Sequence, residues 1–224
     1  MKQKIVIYIY AICIAADLVF IALDLAPVRW ITKSLLMPLL IGWVWQAGTH
    51  LPKLPKRLLI AALTFSWLGD ILLQTGHQFL PGLVSFLLAH LVYIFFFLKS
   101  GSGKGQLQNE PLTGLPVIIF IALFLWLLYP FLSSMRIPVT VYALVIGSML
   151  LMALNQRGRV GNKAAILFFN GALQFVLSDS LLAVNLFAFH HTILSLCVMA
   201  TYASAQYLLV KGAFASFGPA GANA

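Results

Sequence analysis

The sequence predicts an all-α membrane protein whose chain crosses the bilayer eight times. Of its 224 residues, 62% are hydrophobic and 8% are charged, and the mean hydropathy is +0.99. A soluble domain carries about a quarter charged residues, so this composition excludes an ordinary soluble fold. We expect one transmembrane helical domain over residues 1–224, because the longest loop between apolar runs, residues 99–111, is too short for a second domain.

Eight apolar runs are each long enough to cross roughly 30 Å of hydrocarbon as a helix. The first run follows a basic start that is typical of a signal peptide. It continues past Ala15 and Ala16 without a clear cleavage site, so we expect a retained span. Gly, Pro and charged residues separate the runs. The expected spans are residues 5–23, 31–48, 57–75, 79–98, 114–132, 138–154, 164–186 and 189–210.

The 14 basic residues fall unequally on the two sides of this predicted bundle. Cytoplasmic loops of membrane proteins are enriched in Lys and Arg, and the richer side here is the one that holds both chain termini. We therefore expect both termini in the cytoplasm and a multi-pass protein of the inner, cytoplasmic membrane. The net charge of +9 is then a topology signal, and no nucleic-acid partner is expected. The richer side holds Lys2, Lys4, Lys53, Lys56, Arg57, Lys99, Lys104, Arg157, Arg159, Lys163 and Lys211, and the other side Arg29, Lys33 and Arg136.

Two aspartates lie inside apolar runs and are the main candidates for function. Asp70 lies roughly 20 Å along the predicted helix from Arg57, and Asp179 roughly 24 Å from Lys163, so both are expected at a similar height in the outer half. An acid within a transmembrane helix costs about 2.5–3.5 kcal/mol on insertion scales, which makes it a functional candidate. Asp17 and Asp24, near the outer end of the first span, are instead expected to reach water.

Other polar residues share helix faces with these acids or lie at a similar depth. Ser66, Asp70 and Gln74 recur every four residues and form one stripe. Asn170, Gln174 and Ser178 form another, although Asp179 points about 100° away from Ser178. The sequence therefore predicts a polar cavity inside the bundle. The residues expected to bind a ligand there are Lys33, Ser66, His90, Tyr93, Asn170, Ser178 and Tyr202. Each of them alone is equally consistent with a buried group satisfied by a structural hydrogen bond.

Neither a metal nor another cofactor is expected. Cys13 and Cys197 lie in apolar runs without the spacing of metal ligands or a disulfide. His190 and His191 are adjacent, so their rings point apart on a helix, and we expect them at the outer interface.

Several segments together resemble the YhhN-like family of integral membrane proteins, whose characterised members are lysoplasmalogenases. The resemblance covers nearly the whole chain. An early segment, TKSLLMP, is similar to the family's Thr-Lys-Pro element, with Ser34 at the expected proline. The other matching segments, in order, are FSWLGDILL, GLVSFLLAHLVYIF, GALQFVLSDSLLAVNLF and TYASAQYLL.

The resemblance implies hydrolysis of the vinyl ether bond of a lysoplasmalogen to a fatty aldehyde and a glycerophospho-alcohol. This alkenylglycerophosphocholine or alkenylglycerophosphoethanolamine hydrolase activity needs an acid to protonate carbon and a carboxylate to activate water. Asp70 and Asp179 are the expected catalytic pair, with the roles of the two left open. The substrate partner would be a lysophospholipid in the bilayer, with Lys33, or Arg29 as an alternative, holding its phosphate.

Two other classes of protein remain open at this stage. Paired acids near His90 could form the proton relay of a proton-coupled small-molecule transporter. Against a transporter, the two halves show no matching broken helices, and the two Asp segments run in the same direction across the membrane. A structural or lipid-binding protein would leave the acids unexplained.

Overall fold

The computed structural model describes residues 2–76 and 78–218; Met1, His77 and residues 219–224 lie outside it. The described chain is helical, with only an isolated bridge between Arg157 and Val160 resembling sheet pairing. Helices satisfy every backbone polar group within one segment, which the hydrocarbon core requires. The α-helices are α1 Lys2–Ala22, α2 Ala26–Ala47, α3 Lys53–Gln74, α4 Phe79–Ser100, α5 Gln106–Asn109, α6 Leu115–Leu128, α7 Arg136–Leu154, α8 Asn162–Phe187 and α9 Thr192–Phe217.

Seven helical segments in the described part of the chain are long and apolar enough to cross a membrane, which makes this a multi-pass membrane protein. They comprise α1, α3, α4, α6 with its flanking 3₁₀ turns, α7, α8 and α9. The all-α prediction is thus confirmed. Helix α2 has 22 residues but is not among the seven, since Arg29 and Lys33 lower its hydropathy. An eighth crossing and the side on which the termini lie remain predictions.

Seven helices form a closed ring in the order α1, α2, α3, α4, α7, α8, α9, and α6 packs outside it against α7. The closest packing is between α8 and α9 and between α3 and α4. Tyr10 of α1 closes the ring by donating a hydrogen bond of 2.8 Å to the Ala203 carbonyl of α9. The centre of the ring is filled by aromatic side chains that meet edge to face, among them Phe86, Phe175 and Tyr202.

The basic end of the bundle is held together by its loops. Arg159, after α7, donates a hydrogen bond of 3.0 Å to the Gly101 carbonyl after α4. The side-chain oxygen of Asn155 accepts from the Leu107 amide at 3.0 Å and ties helix α5 to the same end. The opposite end, where α1 meets α2, α3 meets α4 and α8 meets α9, is more open and contains the site described next.

Candidate functional site

A cavity of about 420 Å³ lies at the open end of the ring, between α2, α3, α8 and α9. Asp70 and Asp179 both line it, so the structure brings the two predicted carboxyl groups to one space. Three other predicted residues also line this cavity: Lys33, Ser178 and Tyr202. Its mouth is bordered by Ala26, Arg29, Gly76, Phe79 and His190, which lie at or next to the α1–α2, α3–α4 and α8–α9 turns.

Asp70 is buried, and each of its carboxyl oxygens has a partner. The Lys33 ammonium of α2 lies 3.2 Å from Oδ1, and the Tyr202 hydroxyl of α9 donates to Oδ2 at 2.7 Å. Only 1% of the Asp70 side chain and 15% of the Lys33 side chain are exposed. The Asp70 carboxyl group is therefore matched by one cation and one neutral donor, at the meeting point of three helices.

Asp179 has a different set of partners. The Tyr142 hydroxyl of α7 donates to Oδ2, and Nε2 of His90, on α4, lies 3.8 Å from the same oxygen. The imidazole is fully buried and packs edge to face on the Phe175 ring at 4.6 Å. In the described part of the chain neither ring nitrogen of His90 has a hydrogen-bond partner. Asp179 therefore faces a phenol and an imidazole, with no Lys or Arg within ion-pair distance among the described residues.

The remaining predicted residues lie away from the cavity wall. Ser66 and Tyr93 are buried in the core, where Tyr93 donates a hydrogen bond of 2.6 Å to Gln206. Asn170 is exposed on α8, and its amide donates to the Ile166 carbonyl of the same helix at 3.0 Å. The structure does not bring Asn170 to this site, because its stripe turns outward along α8 and only Ser178 at its end reaches the cavity.

The angle between Ser178 and Asp179 has a simple explanation. Helix α8 is continuous from Asn162 to Phe187, so the two residues face different neighbours. Ser178 donates to the Val198 carbonyl of α9 at 3.0 Å, whereas Asp179 turns toward α4 and α7. Both side chains nevertheless border the cavity, because it is wide enough to reach both.

The prediction that Asp17 reaches water is wrong. Asp17 is fully buried and does not reach water; Nε of Arg29 lies 3.3 Å from Oδ2, and the Thr32 hydroxyl donates to Oδ1 at 2.7 Å. Helix α2 begins five residues before its predicted start, which brings Arg29 onto a helix beside α1. Asp24 is exposed, as predicted, in the turn between α1 and α2.

Sequence reasoning also missed Tyr142 and Asn185. Tyr142 shares the buried face of α7 with Val139 and Ile146, so helical phase could have marked it as inward-facing. Asn185 donates to the Ser195 hydroxyl at 3.0 Å and accepts from the His191 amide at 2.8 Å, which fixes the turn between α8 and α9.

A smaller apolar crevice of about 40 Å³ borders the cavity on the α4, α7 and α8 side. Its own lining includes apolar side chains such as Val139 and Ala183, and it shares six residues with the main cavity: Leu73, Phe79, Phe86, Asp179, Leu182 and Leu186. Leu186 lines both spaces and is 47% exposed, so the crevice reaches the exterior surface of the helix ring. The described residues contain no group of three or more His, Cys, Asp or Glu side chains that could hold a metal ion.

Comparison with known proteins places this chain in a family. The chain is 33% identical to lysoplasmalogenase TMEM86B of Homo sapiens over 189 residues, which are 83% of this chain and 75% of that protein. It is 37% identical to lysoplasmalogenase TMEM86B of Sus scrofa over 148 residues, or 66% of this chain and 59% of that protein.

A bacterial relative, the lysoplasmalogenase of Mycobacterium bovis, is 30% identical over 164 residues, which cover 71% of this chain and 61% of that protein. No solved structure matches the chain significantly. The profile of the YhhN family matches residues 28–213, from the first turn of α2 to the last turns of α9. This protein therefore belongs to the YhhN family.

Proposed function

We propose that this protein is a lysoplasmalogenase, which hydrolyses the vinyl ether bond of a lysophospholipid within the membrane. The observation that carries the proposal is the placement of two carboxyl groups, the buried Asp70 and the partly buried Asp179, on one cavity beside an apolar crevice. The relatives named lysoplasmalogenase support the reaction class.

The proposed chemistry starts with protonation of the alkenyl carbon that is not bonded to oxygen. The π electrons form the new C–H bond, and the adjacent carbon and ether oxygen share the positive charge of an oxocarbenium ion. A water molecule then attacks that carbon while a carboxylate removes its proton, giving a hemiacetal. Collapse of the hemiacetal breaks the bond to the glycerol oxygen and releases the aldehyde. The reaction thus needs one carboxylic acid and one carboxylate at the start.

The partners of the two aspartates divide these roles. Asp70, held by the Lys33 ammonium and the Tyr202 hydroxyl, is the carboxylate that removes the proton from water. Asp179, which has no such ammonium beside it, carries the proton that is delivered to carbon. During collapse, Asp70 returns its proton to the glycerol oxygen, and the hemiacetal hydroxyl returns a proton to Asp179. Both groups then regain their starting states.

The position of the apolar crevice defines the proposed orientation of the substrate in the cavity. The alkenyl end of the ether points toward the crevice beside Asp179, so the carbon to be protonated is on the side of the proton donor, and the rest of the chain continues past Leu186 out of the bundle. The ether oxygen then faces Asp70, and the headgroup lies toward the mouth of the cavity. We propose also that α2 is an eighth span, that both termini are cytoplasmic and that the cavity opens toward the outer face of the cytoplasmic membrane.

The test is aldehyde release by the purified protein and by two single variants, Asp70→Asn and Asp179→Asn. Asparagine keeps the shape and removes the titratable proton, so each variant is expected to lower kcat by about 100- to 10,000-fold. Asp24→Asn, at the exposed turn outside the cavity, is the matched control and is expected to retain activity. In heavy water the released aldehyde should carry deuterium on the carbon next to the carbonyl.

Near-normal turnover by either variant would remove that aspartate from the mechanism. Equal cleavage of an ester lysophospholipid by the wild-type protein would indicate acyl hydrolysis, because a site matched to an oxocarbenium ion accelerates only the vinyl ether reaction.

A further inference from the structure

A partly buried ion pair at the mouth of the cavity, between Asp17 and Arg29, has no role in the proposed chemistry. Asp17 of α1 is fully buried, and it holds Arg29 of α2 through Nε at 3.3 Å. Thr32 donates to the other oxygen of Asp17 at 2.7 Å, so both carboxyl oxygens are engaged. A buried carboxylate contributes little net stability when desolvation offsets its ion pair. Its clear effect here is to fix the position of the Arg29 guanidinium.

The guanidinium is held in a way that leaves it able to bind a ligand. Arg29 uses Nε for Asp17, which leaves the donors of its two terminal nitrogens, the pair that forms two parallel bonds to phosphate. Its side chain is 30% exposed, and it lines the cavity together with Ala26. Both residues belong to the first turn of α2, where the positive end of the helix dipole also favours an anion.

Lys33 is less suited to the same ligand. It lies one turn deeper than Arg29, roughly 6 Å along α2, and its ammonium is 3.2 Å from Asp70. The sequence predicted Lys33 as the phosphate ligand with Arg29 as the alternative, and the structure favours the reverse order. The one-turn offset between them is comparable to the glycerol backbone that separates a vinyl ether oxygen from the phosphate.

We propose that Arg29 is the anion-binding residue of the cavity and takes the phosphodiester of a lysophospholipid, with Asp17 and Thr32 as positioning residues. The choice of this ligand rests on the proposed function, because the same donors would also accept a free phosphate or a glycerophospho-alcohol. A lipid is favoured over these because the cavity continues past Asp179 into the apolar crevice.

The test measures equilibrium binding to the purified full chain, with ligands that cannot be cleaved. The lipid probe is a saturated 1-alkyl-glycerophosphoethanolamine, and its matched control is the 1-alkyl-glycerol, which lacks phosphate. Arg29→Gln is expected to weaken binding of the phospholipid by about 10- to 100-fold, the range of a lost charge-assisted hydrogen bond, and to leave alkylglycerol binding unchanged. Arg136→Gln, at an exposed arginine over the Tyr129 ring, is expected to change neither.

Two further arms separate the alternatives. Glycerophosphoethanolamine and inorganic phosphate are expected to bind far more weakly than the phospholipid, and equal binding would replace the lipid by a free phosphate compound as the ligand. If Arg29→Gln does not fold, Arg29→Lys keeps the charge but not the fork, and the same selective loss for the phospholipid is expected.

The proposal is overturned if Arg29 variants bind both lipids as the wild type does, or lose both equally, since the ion pair is then structural only. Failure of the proposed function gives a different result. A wild-type protein that binds the phospholipid selectively through Arg29 but releases no aldehyde from a vinyl ether substrate would retain the anion site and lose the hydrolase assignment.

Discussion

Among the described residues, the buried Asp17 and Asp70 and the partly buried Asp179 differ in whether a cation accompanies them. Asp17 pairs with Arg29 and Asp70 with Lys33, and in both cases the partner comes from α2. Asp179 has the Tyr142 hydroxyl and the His90 imidazole instead. Asp70 and Asp179 are chemically identical side chains in unequal surroundings, so they can perform different steps of one reaction.

The pairing of Lys33 with Asp70 leads to a prediction about stability. Removing one partner of a buried ion pair leaves an uncompensated charge, so Lys33→Met is expected to lower the free energy of unfolding by about 3–5 kcal/mol. The double variant Lys33→Met/Asp70→Asn should recover much of that loss, because no unpaired charge remains. Denaturation of the purified variants in detergent measures this coupling.

A matched pair of residues provides the control for that cycle. Arg136→Met and Asp24→Asn change a basic and an acidic residue that are both exposed and are not paired with each other, so their effects should add. Additive effects for Lys33 and Asp70 as well would contradict the ion pair.

Part of the site could be predicted from the sequence, namely the residues that are unusual within their own predicted helix. Asp70 and Asp179 stand out because a carboxyl group is rare in an apolar run, and Lys33 and Tyr202 were expected at the site from their positions along their own predicted helices. The partners of Asp17 could not be predicted, because they depend on where α2 begins and how it packs on α1. Tyr142 carries no local signal of its contact with Asp179.

At the scale of helices, a proline in α2 determines how that helix attaches to α3. Pro38 has no backbone N–H, so the Ser34 carbonyl lacks its usual partner within the helix. The indole of Trp67 on α3 donates to this carbonyl at 2.9 Å. Ser34 follows Lys33, and Trp67 lies one turn before Asp70, so this bond sets the two helices in the register that the ion pair needs.

The packing of α8 on α9 allows a second prediction. A Cβ added at Gly171 would lie 2.9 Å from Cγ of Leu209 and 3.1 Å from the Ala205 carbonyl oxygen. Membrane helices pack through such small residues, so Gly171→Ala is expected to destabilise the protein by about 1–3 kcal/mol through overpacking. The control is Gly42→Ala in α2, where a Cβ would meet nothing within 4 Å. Thermal unfolding in detergent compares the two, and equal midpoints would argue against close packing at Gly171.

Helix ends show where hydropathy reaches its limit as a predictor. The last span was expected to end at residue 210, but α9 continues to Phe217. Lys211 interrupts the apolar run without interrupting the helix, because lysine is a good helix former. Its ammonium lies 5.3 Å from the centroid of the Tyr207 ring, on the same helix. The all-α architecture was predictable because each span repeats the same signal, whereas the ring order depends on packing between spans.

At the scale of the whole molecule, the ring has one loop-tied end and one end that holds the cavity. The basic residues Arg157 and Arg159 belong to the tied end, and Arg29 and His190 border the cavity. The charge bias therefore predicts that the cavity opens away from the cytoplasm.

This orientation can be tested with single cysteines in a background that lacks Cys13 and Cys197. Ser134→Cys and Asn162→Cys place thiols at exposed positions near opposite ends of α7, before its start and after its end. An impermeant thiol reagent added to intact cells should label position 134 and not position 162, and lysis should expose both. The opposite pattern would invert the bundle and place the cavity on the cytoplasmic side.

The cavity has two exits of unlike polarity, a polar mouth beside Arg29 and an apolar crevice that reaches the exposed Leu186. On the proposed function, each product of cleavage would dissolve in the phase that its own exit adjoins, the aldehyde in hydrocarbon and the glycerophospho-alcohol in water. Their recombination would then require both to return from separate phases to one site. The bundle would thus release each product into its own phase, and this partitioning of the products would favour hydrolysis over the reverse reaction.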